Sequence, residues 1–263
     1  MSIKIIKTKI SYLDQNLNAL IFLPEANSSD TKAIGAFTHG YTSHKASILS
    51  WSTRLAEEGI ANILFDQPGH YLGTFSEVNT LEEYQQHAPH LFNIARNELI
   101  KSYELEFDTE LEGNVKTILG GHSLGALLSL CALETGDFDD IETLSLCVGL
   151  GLPPKGVTHI FDTPFYKSTL NIRRQLVSAA ISPDVIFPWI KERKENLQIS
   201  SRRIHFITGA DDIVVGKDGT QLMVDSLNSN NEVSYDRPTK LPHHTPELAA
   251  PHIKKFLKDE GII

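Results

Sequence analysis

The apolar positions of this chain fall in short runs separated by turn signals. Residues 3–10 and 17–23 alternate or run apolar around a polar turn, which predicts an N-terminal hairpin. Further strand-like runs cover residues 33–38, 60–65, 115–119, 141–148, 203–208 and 231–235. Between them the spacing becomes helical. Ile48, Trp51, Leu55 and Ala56 predict a helix over 45–58, closed by Gly59. Thr80 and Glu83 form a capping-box pattern, because each can satisfy a backbone donor of the other, and a helix is expected from there to about residue 104. Residues 124–133, 219–227 and 247–258 complete the helical set, with Thr245-Pro246 as the cap and first turn of the last.

Strand and helix therefore alternate after the hairpin. That order predicts a mostly parallel sheet with helices on both faces, because parallel strands need crossover connections. The interruption is residues 152–201, which hold Pro153, Pro154, Pro164, Pro183 and Pro188 and no convincing strand. They read as an insertion of short helices and turns over one end of the sheet. The chain then divides into a core of 1–151 and 202–263 and an insertion of 152–201, within one domain.

Composition narrows the class. With 263 residues, 41% of them apolar, the chain can bury roughly three quarters of its unfolded surface in one core. The net charge of −9 opposes binding to phosphate backbones, so nucleic acid is not an expected partner. No apolar run approaches the length of a membrane span, and the first residues lack a signal-peptide core, so the expected location is cytoplasmic. Cys131 and Cys147 sit in apolar runs and read as core thiols.

The strongest chemical signal is Gly121-His122-Ser123-Leu124-Gly125. The three fixed residues of G-x-S-x-G alone arise by chance in roughly one chain in ten of this length. The apolar strand before it and the apolar helix after it supply the specificity. A serine on a tight strand-to-helix turn projects above the sheet, and β-carbons at the flanking positions would collide with neighbouring chain. Ser123 is thus a candidate nucleophile, with the amides of the following helix aimed at the reacting oxygen. Metal signals are weaker. His87 and His90 are three apart on the expected helix without an H-E-x-x-H pattern, and no C-x-x-C or phosphate-binding glycine loop occurs. Neither a metal nor a cofactor is expected.

With these motifs the chain resembles the α/β-hydrolase superfamily, over residues 33–66, 113–135 and 203–258, with 152–201 where that superfamily places its lid. The resemblance implies an α/β-hydrolase fold and a triad in the order serine, acid, histidine. The acid falls in Gly209-Ala210-Asp211-Asp212 after the next-to-last strand. Asp212 is favoured, since apolar Ile213 and Val214 would draw the chain back to the core, and Asp211 is the competitor. The base falls in Leu241-Pro242-His243-His244, where adjacent histidines point to different sides. His244, nearer the helix cap, is favoured over His243. The oxyanion donors implied are the amides of Leu124 and of Tyr41, the latter in a His39-Gly40-Tyr41 loop similar to the superfamily's His-Gly-x. His39, Asp66 and His70 read as structural.

The implied activity is hydrolysis of a small carboxylic ester with an apolar acyl or aryl part, through an acyl-enzyme. A thioesterase, a C–C hydrolase, an acyltransferase or a non-catalytic binder on the same fold are the alternatives. The insertion carries Ile160, Phe161, Phe165, Tyr166, Leu170, Val177, Ile181, Val185, Ile186, Phe187 and Trp189, most of them expected as packing and several as pocket lining. Residues 153–201 carry a net +3 against −12 for the rest, densest at Arg173-Arg174. That contrast suggests a substrate bearing a carboxylate or phosphate.

Overall fold

A computed structural model describes residues 3–25, 33–111, 115–152 and 164–263, the side chains of 164–166 excepted. The hairpin forms as β1 (Ile3–Tyr12) and β2 (Gln15–Pro24), antiparallel and longer than the apolar pattern alone marks. β3 (Ala33–Thr38), β4 (Asn62–Phe65), β5 (Lys116–His122), β6 (Thr143–Val148), β7 (Arg203–Ile207) and β8 (Glu232–Asp236) follow. The sheet order is β1-β2-β4-β3-β5-β6-β7-β8. β2 pairs antiparallel with β4, and every pair from β4 to β8 is parallel. This is the mostly parallel sheet with an antiparallel hairpin that the pattern predicts.

β3 and β6 are buried at every position, so alternate side chains feed two cores. Ile34, Ala36, Leu119 and Cys147 point to the core under α3 (Leu91–Phe107) and α4 (Leu124–Ala132). Ala33, Phe37, Ile118 and Leu146 point to the core under α1 (Leu49–Glu57) and α8 (Ala250–Asp259). The remaining described helices are α2 (Leu81–His87), α5 (Pro164–Gln175), α6 (Pro183–Glu195) and α7 (Gly219–Leu227). Among the described residues, no helix is long and apolar enough to cross a membrane, and Cys131 and Cys147 are buried and unpaired.

Two local expectations change. The helix expected from Thr80 to about 104 is broken into α2 and α3 at Ala88–His90, where Pro89 lacks the N–H that continuation needs. His87 and His90 therefore do not share a helix face. His87 packs edge-on against Tyr12, and His90 Nδ1 bonds Asp137 Oδ2 at 2.6 Å. The capping box is half formed: Thr80 Oγ1 accepts from the Glu83 amide at 3.0 Å, but the Glu83 carboxylate turns to the Asn79 amide.

Between β6 and β7 the described chain consists of α5, a 3-10 turn at Ala179–Ile181, and α6. Val177, Ile181, Ile186 and Trp189 are buried in the first core, whereas Val185 is 38% exposed. Ile160 and Phe161, and the side chains of Phe165 and Tyr166, lie outside the described residues.

Candidate active site

The loops at the carboxyl ends of the parallel strands converge on Ser123, the usual place for a site in such sheets. Ser123 links β5 to α4 with φ +52° and ψ −109°, a region a non-glycine residue occupies only when its surroundings hold it there. Its amide donates to Val148 O at 2.8 Å. The flanking glycines are required sterically. A β-carbon on Gly121 would overlap Thr38 O, and one on Gly125 would lie 2.5 Å from both Thr38 O and His39 O. The elbow is therefore clamped against the end of β3, which places the Tyr41 loop beside it.

That loop is held from below. The Gln67 amide donates to His39 Nε2 at 3.0 Å, which leaves Nδ1 to donate to Gly40 O at 2.9 Å. The ring is thereby fixed as the neutral Nδ1–H tautomer, and burial, partly offset by Asp66, pulls its pKa down to about 4. Asp66 accepts from the Lys45 amide at 2.9 Å, Lys45 Nζ at 2.7 Å and Thr74 Oγ1 at 3.0 Å. His70 Nδ1 donates to Pro68 O, and its ring stands edge-on to His39 and Tyr41. These three side chains brace the loop from within the core.

Asp212 occupies the turn after β7. Its Oδ1 accepts from the amides of Val214 and Val215 at 2.9 and 3.0 Å, and its Oδ2 faces His243 Nδ1 at 2.8 Å. Burial would raise its pKa, but the His243 bond and charge and the two amides outweigh it and hold the carboxylate below its usual value. Asp211 is exposed and accepts from the Leu241 amide at 2.9 Å. The choice of Asp212 thus rests on the turn amides. The sequence argument through Ile213 does not hold, since Ile213 is 70% exposed.

At the histidine the geometry differs from the sequence expectation. The ring that reaches the serine is His243, whose Nε2 lies 3.2 Å from Ser123 Oγ. His244 is exposed, and its ring stands perpendicular to that of His243, 5.6 Å away. Consecutive side chains diverge on this turn, which the bond from the Thr245 amide to Pro242 O closes. Hydroxyl, imidazole and carboxylate form one hydrogen-bonded chain. In it Nδ1–H donates to the carboxylate, leaving Nε2 as an acceptor for the serine proton. His122, not singled out from the sequence beyond the motif's variable position, packs 4.6 Å from the His243 ring, and burial keeps its pKa well below the usual value.

Two cavities meet at Ser123, Tyr41, Val214 and His243. The first, about 620 Å³ with its open mouth, has apolar walls from Leu124, Leu127, Leu152, Phe187 and Ile190. The second, about 720 Å³, has polar walls from Thr42, Ser43, Arg173, His244 and Glu247. Arg173 Nη1 donates to Thr42 Oγ1 at 2.7 Å, so α5 touches the Tyr41 loop, and Tyr41 Oη donates to Ile181 O at 2.9 Å. Arg174 pairs with Asp184 at 2.7 Å. Among the described residues no group of His, Cys, Asp and Glu is arranged to hold a metal.

No curated protein sequence matches the chain. Solved structures share its fold at low identity. A soluble variant of monoglyceride lipase from Saccharomyces cerevisiae, in complex with a substrate analog, has a TM-score of 0.67 at 10% identity, over 96% of this chain and 94% of that one. An epoxide hydrolase from Vigna radiata has a TM-score of 0.61 at 14% identity, over 97% and 98%. The esterase domain of a Rhodothermus marinus protein has a TM-score of 0.54 at 13% identity, over 98% and 99%. The profile of the alpha/beta hydrolase family matches residues 36–242, most of the chain, and with the elbow at its centre the protein belongs to that family.

Proposed function

We propose that this hydrolase cleaves small carboxylic esters through an acyl-enzyme on Ser123. The observation that carries the reading is the hydrogen-bonded chain Ser123–His243–Asp212, placed where an apolar and a polar cavity meet. Ser123 Oγ attacks the ester carbonyl as His243 Nε2 takes its proton. Asp212 holds the ring tautomer and stabilises the imidazolium. The amides of Leu124 and Tyr41 receive the oxyanion, each contributing about 3–4 kcal/mol in the transition state. His243 then protonates the leaving alcohol and activates water for deacylation. The 3.2 Å separation of His243 Nε2 and Ser123 Oγ is within the reach a general base needs.

The apolar cavity is the seat for the acyl part and the polar cavity for the leaving group, with α5 and α6 acting as a lid. An esterase domain and a monoglyceride lipase are among the solved structures that share the fold, which is compatible with this chemistry. A cytoplasmic setting fits the unpaired cysteines. The test is intact mass after a small fluorophosphonate, on wild type and Ser123→Ala, followed by an ester and thioester panel. A single adduct on wild type alone is expected, with kcat lowered by about 10⁶ in the variant. No adduct on wild type would replace this reading with a ligand-binding one.

A further inference from the structure

The apolar cavity contains charge. α6 presents Phe187, Ile190, Lys191 and Lys194 to it, at the three- and four-residue spacing of one helix face. Lys191 has a carboxylate partner in Glu195 at 3.3 Å, one turn on. Lys194 differs. Its Nζ donates to Gly151 O at 2.9 Å, and among the described residues no carboxylate comes within 4.0 Å of it. An ammonium has three donors, and a single carbonyl leaves two of them unused by that bond. Leu127, Leu152 and Val215 share the same cavity.

Lys194 is partly buried, and a cation there with no carboxylate in contact among the described residues is stabilised by a ligand that brings negative charge. Burial draws the Lys194 pKa down to about 8, against the attraction of Asp212, so the group is still mostly charged near neutrality. Asp212 is not a contact partner of Lys194, since it lies more than 4.0 Å away and its carboxylate bonds His243 and the Val214 and Val215 amides instead. The cavity therefore offers an apolar wall for a short methylene chain, an ammonium on α6, and the serine at its mouth. Building on the esterase reading, we infer that the acyl group of the substrate ends in a carboxylate received by Lys194, which makes the substrate class half-esters of short dicarboxylic acids. In the reaction Ser123 Oγ adds to the acyl carbonyl, the ester C–O bond breaks and the alcohol leaves with the serine proton; water then adds to the acyl-enzyme, its Ser123 Oγ–C bond breaks, one water proton returns to Ser123, and a dicarboxylate and a further proton are released.

The experiment compares kcat/KM for the 4-nitrophenyl half-ester of glutarate with that for 4-nitrophenyl hexanoate, its neutral counterpart of similar length. Wild type is expected to prefer the half-ester by about tenfold or more, chiefly through KM, and Lys194→Met to reduce that ratio by about tenfold, the scale of one charge-assisted hydrogen bond. Lys194→Arg, which keeps the charge, should restore part of the preference. A wild-type ratio at or below one, or an equal loss on both esters in Lys194→Met, would overturn the inference and leave Lys194 as a tie between α6 and Gly151. Calorimetric titration with glutarate needs no turnover. If neither ester reacts and no fluorophosphonate adduct forms, the esterase reading fails by itself. Saturable glutarate binding that weakens about tenfold in Lys194→Met then still supports the carboxylate pocket, and no binding by wild type rejects it.

Discussion

The backbone of Gly209 lies against the carbonyl oxygen of Leu241, so closely that a β-carbon at position 209 would overlap it. This contact joins the turn that carries Asp212 to the turn that carries His243. The Ala210 amide reinforces it by donating to Pro238 O at 2.8 Å, and Asp211 does so by accepting from the Leu241 amide. Gly209→Ala must push the two turns apart. The expected outcome is a stability loss of about 1–3 kcal/mol, the usual cost of overpacking, with a larger proportional loss of fluorophosphonate labelling. Denaturant unfolding and the labelling rate measure the two effects. Labelling at the wild-type rate would mean that the turns shift without separating His243 from Asp212.

The two adjacent histidines should differ sharply. His243→Ala removes the only described ring bonded to Ser123 and is expected to lower kcat on an activated ester by about 10⁴ or more. His244→Ala, on the exposed side, should cost less than about tenfold, through contacts in the polar cavity. Steady-state kinetics on both variants decides the matter, and a reversed order would return the base to His244.

Asp212→Asn keeps the shape of the turn but alters its bond to His243. An amide in place of Oδ2 can present a donor to Nδ1 and so favour the wrong tautomer, and a fall in kcat of about 10⁴ is expected with little change in KM. Asp211→Asn should leave kcat within a few-fold, because Asp211 bonds only the Leu241 amide in the described contacts. Equal losses in the two variants would show that the carboxylates act through the fold of the loop.

Acid should unfold the protein early. Burial holds His39 at about 4, His70 at about 3 and His205 at about 4, and keeps His122 well below its usual value. In the unfolded chain each takes up a proton near pH 6.5. The unfolded state therefore binds more protons as pH drops below about 6.5, and stability present above that value is lost as pH falls toward the folded-state values. Each of the four rings contributes up to about 1.4 kcal/mol per pH unit in that window. The melting temperature should fall only slightly from pH 8 to 7, as Lys194 completes its protonation, and steeply between pH 6.5 and 4. Asp66 and Asp212, held below the usual carboxylate range, add to the loss only below about pH 4. A flat melting profile down to pH 5 would show that the buried rings accept protons in place.

The sequence by itself determined the sheet, the elbow and the family. β3 and β6 are mostly apolar because parallel strands are covered on both faces, and Gly121-His122-Ser123-Leu124-Gly125 stands in the strand–turn–helix context its sterics require. Such signals are local: the residues that make the pattern are also neighbours in space. The split of α2 from α3 was legible too, in Pro89, but the periodicity on either side of it obscured the break. The choices between Asp211 and Asp212, and between His243 and His244, belonged to the tertiary structure. Each is a question of which side of a turn faces Ser123, and the contacts that orient these turns, the amide donors at Val214 and Val215 and the closeness of Gly209 to Leu241, exist only in the folded chain. Lys194 left no signal of its own, because a lysine on an amphipathic helix has the same sequence whether its ammonium meets solvent or closes a cavity. Its environment comes from packing α6 over Gly151 and Leu127, residues 43 and 67 positions earlier in the chain, and one-dimensional periodicity carries no record of such distant contacts.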